Sequence, residues 1–168
     1  MFNLLNSLSP FFEDCYRRIN VREYAGIIGV APATAAKMLK ELQKEGLLEK
    51  EKYKSYLLFH AKIESRDFID LSRIYWRVRM KTLVSFMEKE LTNPSIILFG
   101  SLSKAEAKQN SDVDLAVFST KKEIDIKKFE AKIKRKIQLF WFDSIDSVKS
   151  KELRNNILNG YILRGRVI

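Results

Sequence analysis

Gly100-Ser101 and, eleven residues after that serine, Asp112-Val113-Asp114 are the residues of this 168-residue chain whose types and spacing suit phosphate chemistry. Two aspartates two positions apart on an extended strand project from one face, while Val113 and Leu115 project from the other. Such a pair suits Mg²⁺, with Mn²⁺ as a second candidate, because a hard ion takes carboxylate oxygens together with phosphate oxygens and water. Gly100 lets a phosphate approach the backbone, and Ser101 offers a hydroxyl and an N–H at the start of a short helix. A metal-bound triphosphate fits between the two motifs. Asp112 and Asp114 are the candidate metal ligands and catalytic residues, and Gly100, Ser101 and Ser111 the candidate nucleotide-binding residues.

Elements must hold these groups in place. The apolar runs Ile96-Ile97-Leu98-Phe99 and Val113-Leu115-Ala116-Val117-Phe118 predict two strands flanking a loop and short helix. Asp-x-Asp or Gly-Ser alone is common in turns, but the pairing of both with bracketing strands resembles the polymerase-β-like nucleotidyltransferase superfamily, especially its minimal prokaryotic members. The resemblance runs from about Pro94 to Gly165, including the tail Ile157-Leu158-Asn159-Gly160-Tyr161-Ile162-Leu163. It implies a mixed sheet flanked by helices, with two metal ions serving transfer of a nucleoside monophosphate from an NTP, ATP first among them, to an acceptor. The family's third carboxylate belongs on a later strand, matched by Ile137–Phe142, and there Gln138 takes the corresponding alternation. A neutral amide cannot act as general base and holds a second metal poorly, so Gln138 is a nucleotide-site residue rather than an acid. Asp143 and Asp146 are substitutes to consider, although alternation turns Asp143 away from Gln138. Ala105 stands where family members commonly have glycine. A basic helix with Lys127, Lys128, Lys132, Lys134, Arg135 and Lys136 precedes the later strand; it either steers a triphosphate or RNA toward the site or is a solvated face.

The first third of the chain has a different pattern. A helix over Pro10–Arg18 is expected, then a capping box at Asn20 and Glu23 opens a helix to Ile28. Gly29 and Pro32 punctuate a turn before a helix from Ala33 to Glu45, with Ala36, Leu39 and Leu42 facing inward and Gly46 ending it. Leu47–Lys52 and Lys54–Ala61 read as strands around a charged turn at Lys52-Tyr53-Lys54-Ser55. Val21 to Lys62 resembles the winged helix-turn-helix of prokaryotic regulators, apart from Ala31 where a Ser or Thr cap is usual. That resemblance implies double-stranded DNA as partner, with Ala33, Thr34 and Lys37 nearest base edges and Lys40, Lys52 and Lys54 meeting phosphates. A protein adaptor of the same fold is the alternative. Ser65 can cap a long helix through about Glu90, with Phe68, Leu71, Tyr75, Val78 and Leu83 as its apolar positions.

The fold class expected is therefore α+β: a winged helix-turn-helix domain over residues 1–64, a linking helix over 65–92 and a nucleotidyltransferase-like domain over 93–168. Lys+Arg exceed Asp+Glu by 31 to 21, for a net charge of +10. The excess is ten against eight in residues 1–64, six against four in 65–92 and fifteen against nine in 93–168, so most lies in the last part. A polyanionic partner suits that balance. One cysteine, Cys15, forms no internal disulfide and sits among aromatic residues as a buried thiol; Trp76 and Trp141 are expected in the core, and His60 has no metal-binding neighbours in sequence. Without a signal-like N-terminus or an apolar run of bilayer length, a cytoplasmic protein with no membrane partner is expected. Three functional readings stay open. They are a DNA-tethered nucleotidyltransferase acting on an unknown protein or RNA acceptor, a regulator whose second domain senses nucleotide or binds a partner, and an antitoxin-like protein adenylylator; a homodimer is compatible with each.

Overall fold

The protein is described by a computed structural model over residues 2–166. Among these residues there are six α-helices and two sheets, and the chain divides into two compact units. The first runs up to Tyr75 and takes in Ala105–Gln109; the second comprises Trp76–Lys104 and the residues from Asn110 onward. The long helix is divided between the two units, its first part in one and the part from Trp76 in the other.

The first unit contains α1 (Phe2–Glu13), β1 (Ile19–Asn20), α2 (Val21–Ile28), α3 (Pro32–Lys44), β2 (Leu48–Tyr53) and β3 (Tyr56–Ala61), with the start of α4 (Arg66–Glu90). The first helix starts earlier and ends sooner than expected, with Pro10 inside it rather than at its start. Proline leaves the carbonyl four residues back without an N–H, and here the Ser9 hydroxyl donates to that carbonyl, Asn6 O, at 2.7 Å. Phe11 and Phe12 are fully buried, Phe11 stacked on Tyr24 and Phe12 tilted against Phe68 and Tyr75, each ring burial contributing about 2 kcal/mol.

Asn20 caps α2 as expected, accepting from the Arg22 and Glu23 N–H groups at 3.0 Å. The reciprocal half of the capping box does not form, because the Glu23 carboxylate accepts from Arg17 at 2.7 Å instead. Asn20 also ends a short strand that sequence patterning passed over; β1 pairs with β3, giving the order β1-β3-β2. The buried face of α3 is Ala35, Leu39 and Leu42 at i, i+4 and i+7, so Ala35 takes the inward place expected of Ala36. β2 runs one residue further than expected, to Tyr53, whereas β3 starts two residues later, at Tyr56. Tyr53 pairs with Tyr56 and the turn shrinks to Lys54-Ser55, with Lys54 at φ +54°.

The second unit is a four-stranded mixed sheet in the order β6-β5-β4-β7: β4 (Ser95–Phe99), β5 (Val113–Phe118), β6 (Ile137–Phe142) and β7 (Tyr161–Arg164). β5 and β6 are parallel, joined through α5 (Lys127–Ile133), and the other pairs are antiparallel. Alternation separates two faces. On one, Ile97, Phe99 and Ala116 form a core with Val148 and with Ile157 of α6 (Lys151–Leu158), joined by Phe118, Phe140 and Phe142. On the other lie Ile96, Leu98, Val113, Leu115 and Val117, all buried. The α4 part of this unit reaches α5 through Phe86, whose ring lies 5.1 Å from Phe129, and through Arg79, which donates to the Ile133 carbonyl at 2.9 Å. Trp76, Met80, Leu83 and Met87 are the buried positions of this half of α4, whereas Val78, expected among them, is 45% exposed.

Candidate nucleotidyltransferase site and DNA-binding face

β4 ends at Phe99, in register with Asp114 of the antiparallel β5, and the chain turns there through Gly100 at φ +72°. A β-carbon on residue 100 would collide with the Asp114 carboxylate, so glycine is needed both for the left-handed backbone and for the approach of the acid. Ser101 then begins a single 3₁₀ turn, Ser101–Lys104, in place of the short helix expected; the Ser103 hydroxyl closes it onto the Gly100 carbonyl at 2.9 Å. Ala105 is at φ +57° and fully buried. The position that commonly carries glycine in the family thus keeps the left-handed backbone while holding a methyl, at a conformational cost of about 1 kcal/mol.

Asp112 precedes β5 and Asp114 is inside it, so only the second aspartate belongs to the ladder. Both are partly buried, and Asp114 faces the same side as Ala116 and Phe118. Burial, and then the charge of Asp112, hold the Asp114 carboxyl above its ordinary value. Gln138 of the parallel β6 is in direct register with Asp114, and its amide Nε2 donates to Asp112 Oδ2 at 2.6 Å. Gln138 therefore lies beside the acids, where the family resemblance put it. Asp143 lies beyond the end of β6, and Asp146 is engaged by Arg154.

One positioning group was hidden in the sequence. Arg135 is expected in the basic helix, whether that helix steers an anion or is a solvated face, but α5 stops at Ile133, Lys134 turns through φ +59°, and Arg135 is only 7% exposed. Its guanidinium lies over the Trp76 ring at 5.0 Å and donates to the Ser111 carbonyl at 2.6 Å. The Val113 N–H donates to the Lys136 carbonyl at 2.8 Å. Residues 135, 136 and 138 thus grip Ser111, Val113 and Asp112 in turn, fixing the backbone on both sides of the first acid. A run of Lys and Arg gives no periodic sign of one buried member. Lys104, at the other end of the loop, donates to Asn156 Oδ1 at 2.9 Å, a contact that sequence spacing could not reveal.

In the first unit Ala33, Thr34, Lys37 and Lys40 are exposed on α3, and Lys52 and Lys54 are exposed at the hairpin. Lys37 makes a long ion pair of 4.0 Å with Glu41, which leaves it available to another anion. Tyr53 and Tyr56 flank the hairpin tip, each 59% exposed, and were not anticipated. Strand alternation was the signal missed there. No helix among the described residues is long and apolar enough to cross a membrane.

A partly buried acid pair at the start of a central strand, a glycine loop pressed against it and a mixed sheet define a nucleotidyltransferase fold; a three-stranded wing behind a two-helix turn defines a winged helix. Comparison with family models gives the same two modules. The model for polymerase beta, nucleotidyltransferase, matches residues 81–168, and that for the N-terminal DNA-binding domain of iron-dependent repressors matches residues 16–56. Since the first match spans more than half of the chain, the protein belongs to the polymerase beta nucleotidyltransferase family. It carries a DNA-binding domain at its N-terminal side. A search of curated proteins found no match.

Proposed function

We propose that the protein is a DNA-tethered nucleotidyltransferase that moves a nucleoside monophosphate from an NTP to an acceptor outside the chain. The observation that carries this reading is the apposition of the Asp112-Asp114 pair with the Gly100 turn. The pair is short of cation: burial first, and then the neighbouring charge of Asp112, raise the proton affinity of Asp114. A divalent ion relieves this, and Asp112 and Asp114 are the residues to hold Mg²⁺ or Mn²⁺. Among the described residues no group of three or more His, Cys, Asp or Glu side chains is placed to hold a metal. The donor set therefore fits one ion that completes its shell with phosphate oxygens and water. When bound, that ion supplies charge neutralisation to the triphosphate.

The chain's own groups do the rest. Gly100 and Ser101 receive phosphate against the backbone, Ser111 stands beside the first acid, and Arg135 with Gln138 keeps Asp112 oriented. In the transfer an acceptor oxygen bonds the α-phosphorus as the bond to the β-phosphate breaks and pyrophosphate leaves. The acceptor's proton passes to water, because Gln138 cannot take it. DNA is met by Ala33, Thr34 and Lys37 at base edges and by Lys40, Lys52 and Lys54 at phosphates. Gln138 favours one rival, a regulator that binds the Mg²⁺-nucleotide without turning it over, since the amide occupies an Asp112 oxygen where a third acid would serve.

The test incubates the full chain with Mg²⁺, each α-labelled NTP and cell lysate. Covalent label on a protein or RNA, lost in Asp112→Asn, is the outcome expected of the enzyme. A rise in melting temperature with Mg²⁺-ATP but no covalent label supports the sensor, and no thermal response at millimolar nucleotide overturns both.

A further inference from the structure

Away from the acids, the crossover between β5 and α5 walls a second recess. A cavity of about 580 Å³ is lined by Leu139 and Trp141 of β6 and by Lys121, Lys122 and Lys127, with Glu123 and Asp125 on the same rim. Leu139 and Trp141 alternate with Gln138 and Phe140, so they face the side of the sheet opposite the acid pair. Trp141 is in register with Val117, three residues beyond Asp114 and about 10 Å further along β5. The sheet thus stands between this recess and the acidic site, and a nucleotide held by Asp112 and Asp114 does not reach it.

Trp141 was expected in the core; instead it is only partly buried and its ring lines an open wall. The charge around it has one dominant sign. Residues 121–136 hold eight Lys or Arg against three Asp or Glu. Lys122 is committed to Glu90 at 2.8 Å, and Asp125 accepts from the Lys127 N–H at 3.0 Å. Among the described residues Lys121 and Lys127 make no ion pair, and both are exposed, as are Lys128 and Lys132 further along α5.

From these placements we infer that the Trp141 recess binds single-stranded nucleic acid, one base lying against the indole while Lys121 and Lys127 meet the flanking phosphates. An indole bordered by unpaired lysines suits a chain of exposed bases and regular negative charge. A duplex hides its base faces, and an acidic peptide offers no comparable ring. This inference does not depend on the acids being catalytic, and it gives the basic excess of the second unit a partner distinct from the duplex met by the first. It also replaces the expectation that the basic helix steers a triphosphate to the acids, since the recess opens on the other face.

The test titrates the full chain with oligo-dT and oligo-U while reading tryptophan fluorescence. Trp76 is fully buried, so Trp141 is the indole exposed to quenching. Quenching by either single strand is expected of the wild type, and anisotropy of a labelled oligonucleotide, which does not depend on the indole, should give an affinity about ten-fold or more weaker in Trp141→Ala and retained in Trp141→Phe. The surface double variant Lys121→Gln/Lys127→Gln, which leaves the wall intact, should flatten the log–log salt slope by about 1.4. Preference between dT and U tells DNA from RNA. Equal quenching by the matching duplex or by polyglutamate, binding unaltered in Trp141→Ala, or an unchanged salt slope in the lysine variant overturns it.

Discussion

In the winged helix the residues proposed to meet DNA stand in solvent, whereas in the nucleotidyltransferase sheet the residues proposed to meet phosphate are part of the packing. Lys37, Lys40, Lys52 and Lys54 are exposed, and no fully buried contact depends on their charges. Asp114 is half-buried against the Gly100 turn and repelled by Asp112. Stability and recognition are therefore separable in the first unit and opposed in the second. On the proposed reading, a site that concentrates negative charge to hold a cation is strained until the cation binds, and the contacts of Arg135 and Gln138 restrain it. Substitutions should reveal this difference by moving stability in the second unit and leaving it alone at the recognition face of the first.

The largest effect is expected at Gly160, where β7 begins. A β-carbon there would lie 2.6 Å from the Leu98 carbonyl oxygen, 2.7 Å from Ile97 Cγ2 and 2.9 Å from the Ile157 carbonyl oxygen. Backbone cannot yield as a side-chain tip can, so Gly160→Ala should destabilise the sheet by about 3 kcal/mol. Hydrogen exchange at the β4 and β7 amides would measure it, and protection unchanged from wild type would show that the strand shifts freely.

Gln138→Glu comes next and sharpens the meaning of the amide. It replaces the donor to Asp112 by a third negative charge, so without metal the protein should lose about 1 kcal/mol, discounted for the exposure of the side chain. With Mg²⁺ a carboxylate in register with Asp114 restores a general base, worth ~10²–10⁴ in rate. Nucleotidyl transfer should rise accordingly, with Gln138→Asp made alongside to separate reach from charge. If wild type already transfers briskly and both acidic variants lose activity, Gln138 is itself the suited residue.

Asp114→Asn should have the opposite sign for stability. Because the folded state raises this carboxyl's proton affinity, folded protein holds that proton more tightly than unfolded chain. The associated stability is full below the unfolded value and is lost as pH rises through the raised folded one. At neutral pH without metal, Asn removes the loss, and the melting temperature should rise by about 2 °C while Mg²⁺-dependent stabilisation disappears. A melting temperature that falls, or that keeps its response to Mg²⁺-ATP, would mean that the pair is neither repelled nor the ion's seat.

How much of this was legible in the sequence depended on whether a signal was local. Alternation and spacing located β4, β5 and β6 within a residue or two, whereas the place of Gln138 beside the acids came from the family resemblance, alternation giving only which face it takes. Caps read well too: Asn20 and Ser65 both accept the N–H bonds expected of them. What failed was set by competing partners. Ser9 relieves Pro10 and lets the first helix run through it, Arg17 diverts Glu23 from its box, and the left-handed Lys134 turns Arg135 out of the helix and under Trp76. Trp141 was misassigned for a related reason, since β6 is an edge strand and edge position leaves no trace in an apolar run.

The smallest effect on stability, and the plainest break between the units, is expected from Lys37→Gln with Lys40→Gln. Both side chains are exposed on α3, and among the described residues their one ion pair is the 4.0 Å approach of Lys37 to Glu41. A surface pair on a helix contributes about 0.3–0.5 kcal/mol, so the melting temperature should stay within about 1 °C of wild type. DNA binding should nevertheless fall, because each lysine that meets a phosphate releases counterions on binding; removing two should lower the log–log salt slope for duplex DNA by about 1.8. Electrophoretic mobility or anisotropy over a salt series gives both numbers from one preparation. Thr34→Ala, made in parallel, should leave the slope alone and change which duplexes bind, since a group near a base edge carries sequence preference and no counterion. An unchanged salt slope in the lysine variant would move the duplex off α3 and onto the hairpin, where Lys52, Lys54 and the paired Tyr53 and Tyr56 would have to hold it. A large loss of stability would instead show that the recognition face is as bound up with folding as the acidic site, and the contrast between the two units would not stand.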